Sequence, residues 1–223
     1  MIYHLKKDMT GFNQFGKPIG YRSASAAGLL ASKMPENGLI FYAPLNSVDG
    51  FDVAGSPKII TKDGITCIHM YLGARLYTTA DGIPNGTSPR TLSCWFNLSE
   101  DCYVGDWVTM FGIGYSDWYQ ETSVCVDDRG RMALGGYGRD AIFSFYPERE
   151  TFYHVAITFV DGEAKLYING EYLQTAYVDG IDTTGNGIWV GGGNYTGEVA
   201  VVRVYNRVLT AAEIQQLSTE FTI

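Results

Sequence analysis

Residues 152–174 read FYHVAITFVDGEAKLYINGEYLQ, two alternating runs and the start of a third, separated by the turns Asp161-Gly162 and Asn169-Gly170. In an extended strand successive side chains point to opposite faces. Tyr153, Val155, Ile157 and Phe159 therefore share one face, and His154, Ala156 and Thr158 the other. After the first turn, Ala164, Leu166 and Ile168 return to the apolar face while Glu163, Lys165 and Tyr167 point away. Asp-Gly and Asn-Gly both suit a two-residue type I′ turn, whose central residues take positive φ. The stretch thus specifies a three-stranded antiparallel meander whose register is set by its turns and by its pattern.

The same texture extends outward from it. GLIFYAPL (38–45), GITCIHMYL (64–72), TLSCWFNL (91–98), WVTMFGIG (107–114), TSVCVDD (122–128), RMALGGY (131–137) and AIFSFY (141–146) read as strands ahead of the meander. GIWVGG (187–192) and EVAVVRVYN (198–206) follow it. Turn signals such as NGTSP and DDRG separate them, so the pattern is many short strands rather than alternating strands and helices. Thr210-Ala-Ala-Glu213 is a capping box, and Ile214 and Leu217 behind it predict a short amphipathic helix. Residues 1–37 lack clear alternation and carry Gly11, Gly16, Pro18, Gly20 and Pro35. They read as an N-terminal arm or docking segment, with one short helix over 23–34, ahead of a single domain over 38–223.

Composition narrows the partners. The formal net charge is −8, which argues against nucleic acid or an anionic membrane surface. No apolar run is long enough to insert in a membrane, and the first residues do not form an export signal. Cys67, Cys94, Cys102 and Cys125 include no Cys-x-x-Cys, and Cys94 and Cys125 lie in apolar strands, so reduced thiols are expected.

Three stretches carry a family resemblance: SPRTLSCWFNLSE (88–100), FYHVAITFVDGEAKLYINGEYL (152–173) and YTGEVAVVRVYNRVLTAAEIQQL (195–217). In that order they resemble the laminin-G-like branch of the concanavalin A-like lectin and glucanase jelly rolls. The resemblance implies an all-β fold: an antiparallel β-sandwich jelly roll with a short C-terminal helix. Two departures stand out. Phe152 occupies a position where the family commonly has tryptophan, and Ala200 and Val201 occupy positions where it usually carries an Asp-Glu pair. Some relatives bind calcium near an early Asp-x-Ser-Gly loop; the matching DVAG, with Asp52 and the nearby Asp49, makes these two aspartates the candidate metal ligands for a structural calcium ion. The missing acidic pair weakens that site.

No strand carries a catalytic carboxylate motif. Glucanases on a related jelly roll place paired carboxylates on one strand, about 5–5.5 Å apart for retention and about 6.5–9.5 Å for inversion. Glu148 and Glu150 alternate, but in a loop beside Pro147. His4, His69 and His154 show no zinc spacing, and there is no Gly-x-Ser-x-Gly elbow. His154 reads as a strand histidine beside the core. The distinctive surface signal is aromatic: GYSDWYQE (114–121) sets Tyr115, Trp118 and Tyr119 in a polar turn beside Asp117, Gln120 and Glu121. GGYGRD (135–140) adds Tyr137, Arg139 and Asp140. An apolar platform with a few placed polar groups is what a sugar-binding site needs. The expectation is a non-catalytic, lectin-like recognition or adhesion module whose partner is a glycan or cell-surface receptor. The alternative is a structural component of a virion or other assembly, such as a phage fibre, tail or capsid decoration. There residues 1–37 would pair with further copies or with virion proteins, and the protein would reach the outside by lysis, otherwise staying in the cytoplasm.

Overall fold

The computed structural model describes residues 35–115, 117 and 119–220. The arm expected over 1–37, with its short helix, therefore lies almost wholly outside the described residues. Fifteen strands and one helix follow in order: β1 (Leu39–Ala43), β2 (Asp52–Ala54), β3 (Lys58–Lys62), β4 (Ile65–Met70), β5 (Arg75–Thr79), β6 (Arg90–Leu98), β7 (Val108–Gly114), β8 (Glu121–Val126), β9 (Met132–Gly135), β10 (Ala141–Ile142), β11 (Tyr153–Val160), β12 (Glu163–Ile168), β13 (Glu171–Tyr177), β14 (Gly187–Gly191), β15 (Gly197–Tyr205) and α1 (Ala211–Leu217). They form a sandwich of two antiparallel sheets. One has eight strands, ordered β13-β12-β11-β6-β15-β4-β3 with β1 also paired to β15; the other has seven, ordered β10-β9-β8-β7-β14-β5-β2.

The meander is built as its sequence dictates. Val160 pairs with Glu163 and Ile168 with Glu171, leaving two-residue turns. Asp161 and Gly162 take φ of 47° and 83°, and Asn169 and Gly170 take 52° and 84°. Val155, Ile157, Phe159, Ala164 and Leu166 enter the core between the sheets, where they meet Leu76, Phe111, Val124, Leu134 and Val190 of the facing sheet.

Some strand boundaries differ from the sequence reading. DVAG is not a loop: Asp52–Ala54 forms β2 and pairs with β5. KIITK and RLYTT, not read as strands, become β3 and β5, β3 held by the longer β4 and β5 by β14, with which it pairs over all five residues. AIFSFY shortens to the two residues of β10, although Phe143 and Phe145 still exchange backbone hydrogen bonds with Met132. GLIFYAPL is only partly buried, because β1 flanks one half of β15.

β15 explains that placement. Val201 has φ of 54°, a left-handed conformation unusual for a β-branched residue, and marks a bulge between Ala200 and Arg203. The extra residue resets the alternation. Val199, Val202 and Val204 face the core, while Ala200, Val201 and Tyr205 face outward. One edge of the strand also changes partner there, pairing β4 at Gly197–Val199 and β1 from Val202 onward.

The outward face of the eight-stranded sheet is closed over. Ile214, Leu217 and Leu209 pack on Ala156, Tyr167 and Tyr205, and Trp95 packs with Cys67, Ala200, Ile60 and Phe152. α1 starts with the expected capping box between Thr210 and Glu213. His154 lies fully buried on this face, its Nε2 2.9 Å from Ser93 Oγ, and burial with the nearby Arg203 charge lowers its pKa to about 3. The four cysteines are free and buried.

Candidate functional site

The outward face of the seven-stranded sheet is built differently. Register across the strands gives one core-facing row, Leu76–Val190–Phe111–Val124–Leu134. The adjacent, outward-facing row runs Asp52–Tyr77–Trp189–Gly112–Ser123–Gly135. Half of that row is glycine or serine. A Cβ on Gly112 would lie 2.7 Å from Trp189 Cε2, so glycine is what lets the indole lie down across β7. A Cβ on Gly135 would lie 2.7 Å from Ser123 Oγ and 2.8 Å from Cys125 Sγ. The result is a cleft of about 770 Å³ over the sheet, floored by Trp189, Ser123 and Gly135.

Polar groups converge on it from several strands. Arg75, from β5, sets its guanidinium carbon 5.4 Å from the Trp189 ring centre and 5.9 Å from that of Tyr77. Its Nε is buried without an acceptor. Glu121 and Ser123 are neighbours on the cleft face of β8, and Ser123 Oγ donates to Glu121 Oε1 at 3.1 Å. Asp140 accepts the Gly136 N–H at 2.9 Å, and burial raises its carboxyl pKa. At the opposite corner Asp106 accepts the Trp107 N–H at 2.7 Å and Asn194 Nδ2 at 3.0 Å.

The residues singled out in the sequence gather at one rim. The Tyr119 N–H donates to the Tyr137 carbonyl at 3.3 Å, and the Arg139 guanidinium lies 5.0 Å from the Tyr119 ring centre. Tyr119 and Tyr137 both have positive φ, 64° and 51°, a costly conformation for tyrosine. The Tyr115 N–H bonds to the Gln120 and Thr184 carbonyls, and the Asp117 N–H donates to the Tyr115 carbonyl. Tyr115, Tyr119 and Tyr137 remain substantially exposed. Of the rim residues Tyr137 lines the cleft itself, with Glu121 and Asp140 beside it. Trp118 lies outside the described residues. Arg75, Trp107, Ser123, Trp189 and Asn194 escaped the sequence reading, although small residues at outward positions of three adjacent strands were a usable signal.

Neither Asp49 nor Asp52 lines the cleft. Asp49 lines a small pocket with Phe41, Ser47 and Phe51, while Asp52 is an exposed residue of β2. Among the described residues no group of three or more His, Cys, Asp or Glu side chains could hold a metal ion. Calcium takes six to eight oxygens, so these two carboxylates do not make its site by themselves.

A family model described as the concanavalin A-like lectin/glucanases superfamily matches residues 73–215. The chain belongs to that superfamily. No curated protein matches it in sequence. Solved structures show the same fold at low identity. Domain 4 of AbnA, an extracellular arabinanase from Geobacillus stearothermophilus solved in complex with arabinotriose, is 17% identical with a TM-score of 0.63, over 81% of this chain and 98% of that domain. The binding domain of Paraclostridial Mosquitocidal Protein 1 is 18% identical with a TM-score of 0.63, over 81% of this chain and 52% of that one. The botulinum neurotoxin serotype D ligand binding domain, solved with N-acetylneuraminic acid, is 15% identical with a TM-score of 0.59, over 76% and 45% respectively. The match takes in nearly all of the arabinanase domain, whereas the chain covers about half of the toxin domains.

Proposed function

We propose that this protein is a non-catalytic recognition module that binds glycans in the cleft over its seven-stranded sheet. The observation that carries the reading is the placement of Trp189. Its indole packs down into the floor with 4% of its surface exposed, Tyr137 offers an exposed ring at the rim, and Arg75, Glu121, Ser123, Asp140 and Asn194 surround the space between them. Stacking on an aromatic face with hydrogen bonds to hydroxyls is the division of labour a sugar ring calls for. The arabinotriose and N-acetylneuraminic acid complexes of the similar binding domains support it. The exposed Tyr115, Tyr119 and Tyr137 extend the same surface.

Catalysis is disfavoured by the chemistry of β8. Glu121 and Ser123 occupy the two cleft-facing positions, so serine stands where a strand-borne carboxylate pair needs its second acid. Glu148 and Glu150 lie outside the strands, and Glu150 is held by Lys62 Nζ at 2.8 Å and the Glu100 N–H at 2.8 Å.

A glycan array on the full chain, followed by calorimetry on any hit, tests the reading. Trp189→Ala is expected to weaken binding about 30-fold or more, as removal of a central aromatic anchor does. Chelation is expected to leave cleft binding unchanged, since Asp49 and Asp52 are not among its lining groups. Selective binding that survives Trp189→Ala would sink the assignment to this cleft.

A further inference from the structure

Two features of the cleft go beyond its being a sugar site, and both rest on that reading. The first is extent. Its lining begins at Ala54 on β2, one edge of the sheet, and reaches Asp140 next to β10, the other edge. Crossing seven strands at the usual spacing makes a path of about 30 Å. Exposed residues stand at both ends, Ala54 and Gly73 at one and Tyr137 and Gly138 at the other. The second is charge. Among the described residues, Asp106, Glu121 and Asp140 line the cleft against one cation, Arg75, which lies over the Trp189 and Tyr77 rings. Arg139 does not join the lining and sits over Tyr119 at the rim.

We infer that the cleft takes an internal stretch of an uncharged glycan chain and discriminates against acidic sugars. A trough open at both ends admits a chain that enters at one sheet edge and leaves at the other. Neutral sugars offer hydroxyl donors to the three carboxylates and ring faces to the exposed Tyr137. A uronic or sialic acid brings a further negative charge among carboxylates that are partly shielded from water, where repulsion is strong.

Calorimetry with neutral arabino-, xylo- and gluco-oligosaccharide ladders of increasing length tests this, with oligogalacturonates and a sialylated trisaccharide as acidic counterparts. In the neutral series that binds, affinity should climb with chain length and then level off. Reduction of the chain end should not weaken it. Acidic sugars should bind at least about tenfold more weakly at low salt, the size expected of a few ångströms' like-charge contact. The shape-conserving double variant Glu121→Gln, Asp140→Asn should narrow that gap. Acidic sugars binding as tightly as neutral ones, a single terminal sugar binding as tightly as a longer chain, or a gap unchanged by the double variant overturns the inference while leaving glycan binding in place. No binding by any neutral or acidic sugar removes the glycan reading itself and the inference with it.

Discussion

The outer faces of the two sheets obey one alternation and arrive at opposite ends. On the eight-stranded sheet the outward positions hold Tyr167, Tyr205, Trp95 and His154, and α1 and Phe152 pack against that face. On the seven-stranded sheet they hold Gly112, Ser123 and Gly135 beside Tyr77 and Trp189: Gly112 lets the indole lie flat, and Ser123 and Gly135 line the cleft above it. Core-facing rows are equally apolar in both. The difference teaches that the cleft is made by omission: large outward residues recruit a cover, and small ones leave a groove above a Trp189 that is itself packed down with only 4% of its surface exposed.

That contrast can be broken experimentally. The greatest effect is expected at the cover. Ile214→Ala should lose about 2–5 kcal/mol of stability in urea unfolding, the usual result of truncating a fully buried aliphatic side chain. Sugar binding by the folded fraction should be untouched, and a parallel loss of affinity would show that the two faces are coupled. Next comes acid. The pKa of His154 is about 3 in the fold and about 6.5 unfolded, so between those values the unfolded chain binds the extra proton. Its contribution is complete above about pH 6.5 and fades on acidification, by up to about 1.4 kcal/mol per pH unit. His154→Gln should flatten that part of the stability profile; matching slopes in the two proteins would remove His154 as the cause. The smallest effect is at the helix start. Thr210→Ala removes the acceptor of the Glu213 N–H, 3.3 Å away, and should cost about 1 kcal/mol. Glu213 remains tied to Arg207, which holds its carboxyl down to about 2.

Much of the scaffold was legible because its signals are local. Asp161-Gly162, Asn169-Gly170 and Thr210–Glu213 each name their own geometry within four residues. β3 and β5 were not, since short strands such as KIITK are fixed by neighbours rather than by pattern. The site divides in the same way. Glu121, Tyr137 and Asp140 stood out in polar loops. Trp189 sat inside GIWVG, which looks like core, and only pairing with Gly112 and Tyr77 reveals the face it lies on. Arg75 likewise acquires its meaning from β14 across the sheet.

The position of β15 has a consequence for synthesis. It is the last of the fifteen described strands to leave the ribosome, yet it sits between β6 on one side and β4 and β1 on the other. Until it emerges, the larger sheet exists as separate pieces with unsatisfied edges, the kind of surface that invites pairing with other chains. A chain interrupted before Gly197 would keep those edges, so the bulged strand acts as the closing stitch that makes the nascent protein safe from its neighbours.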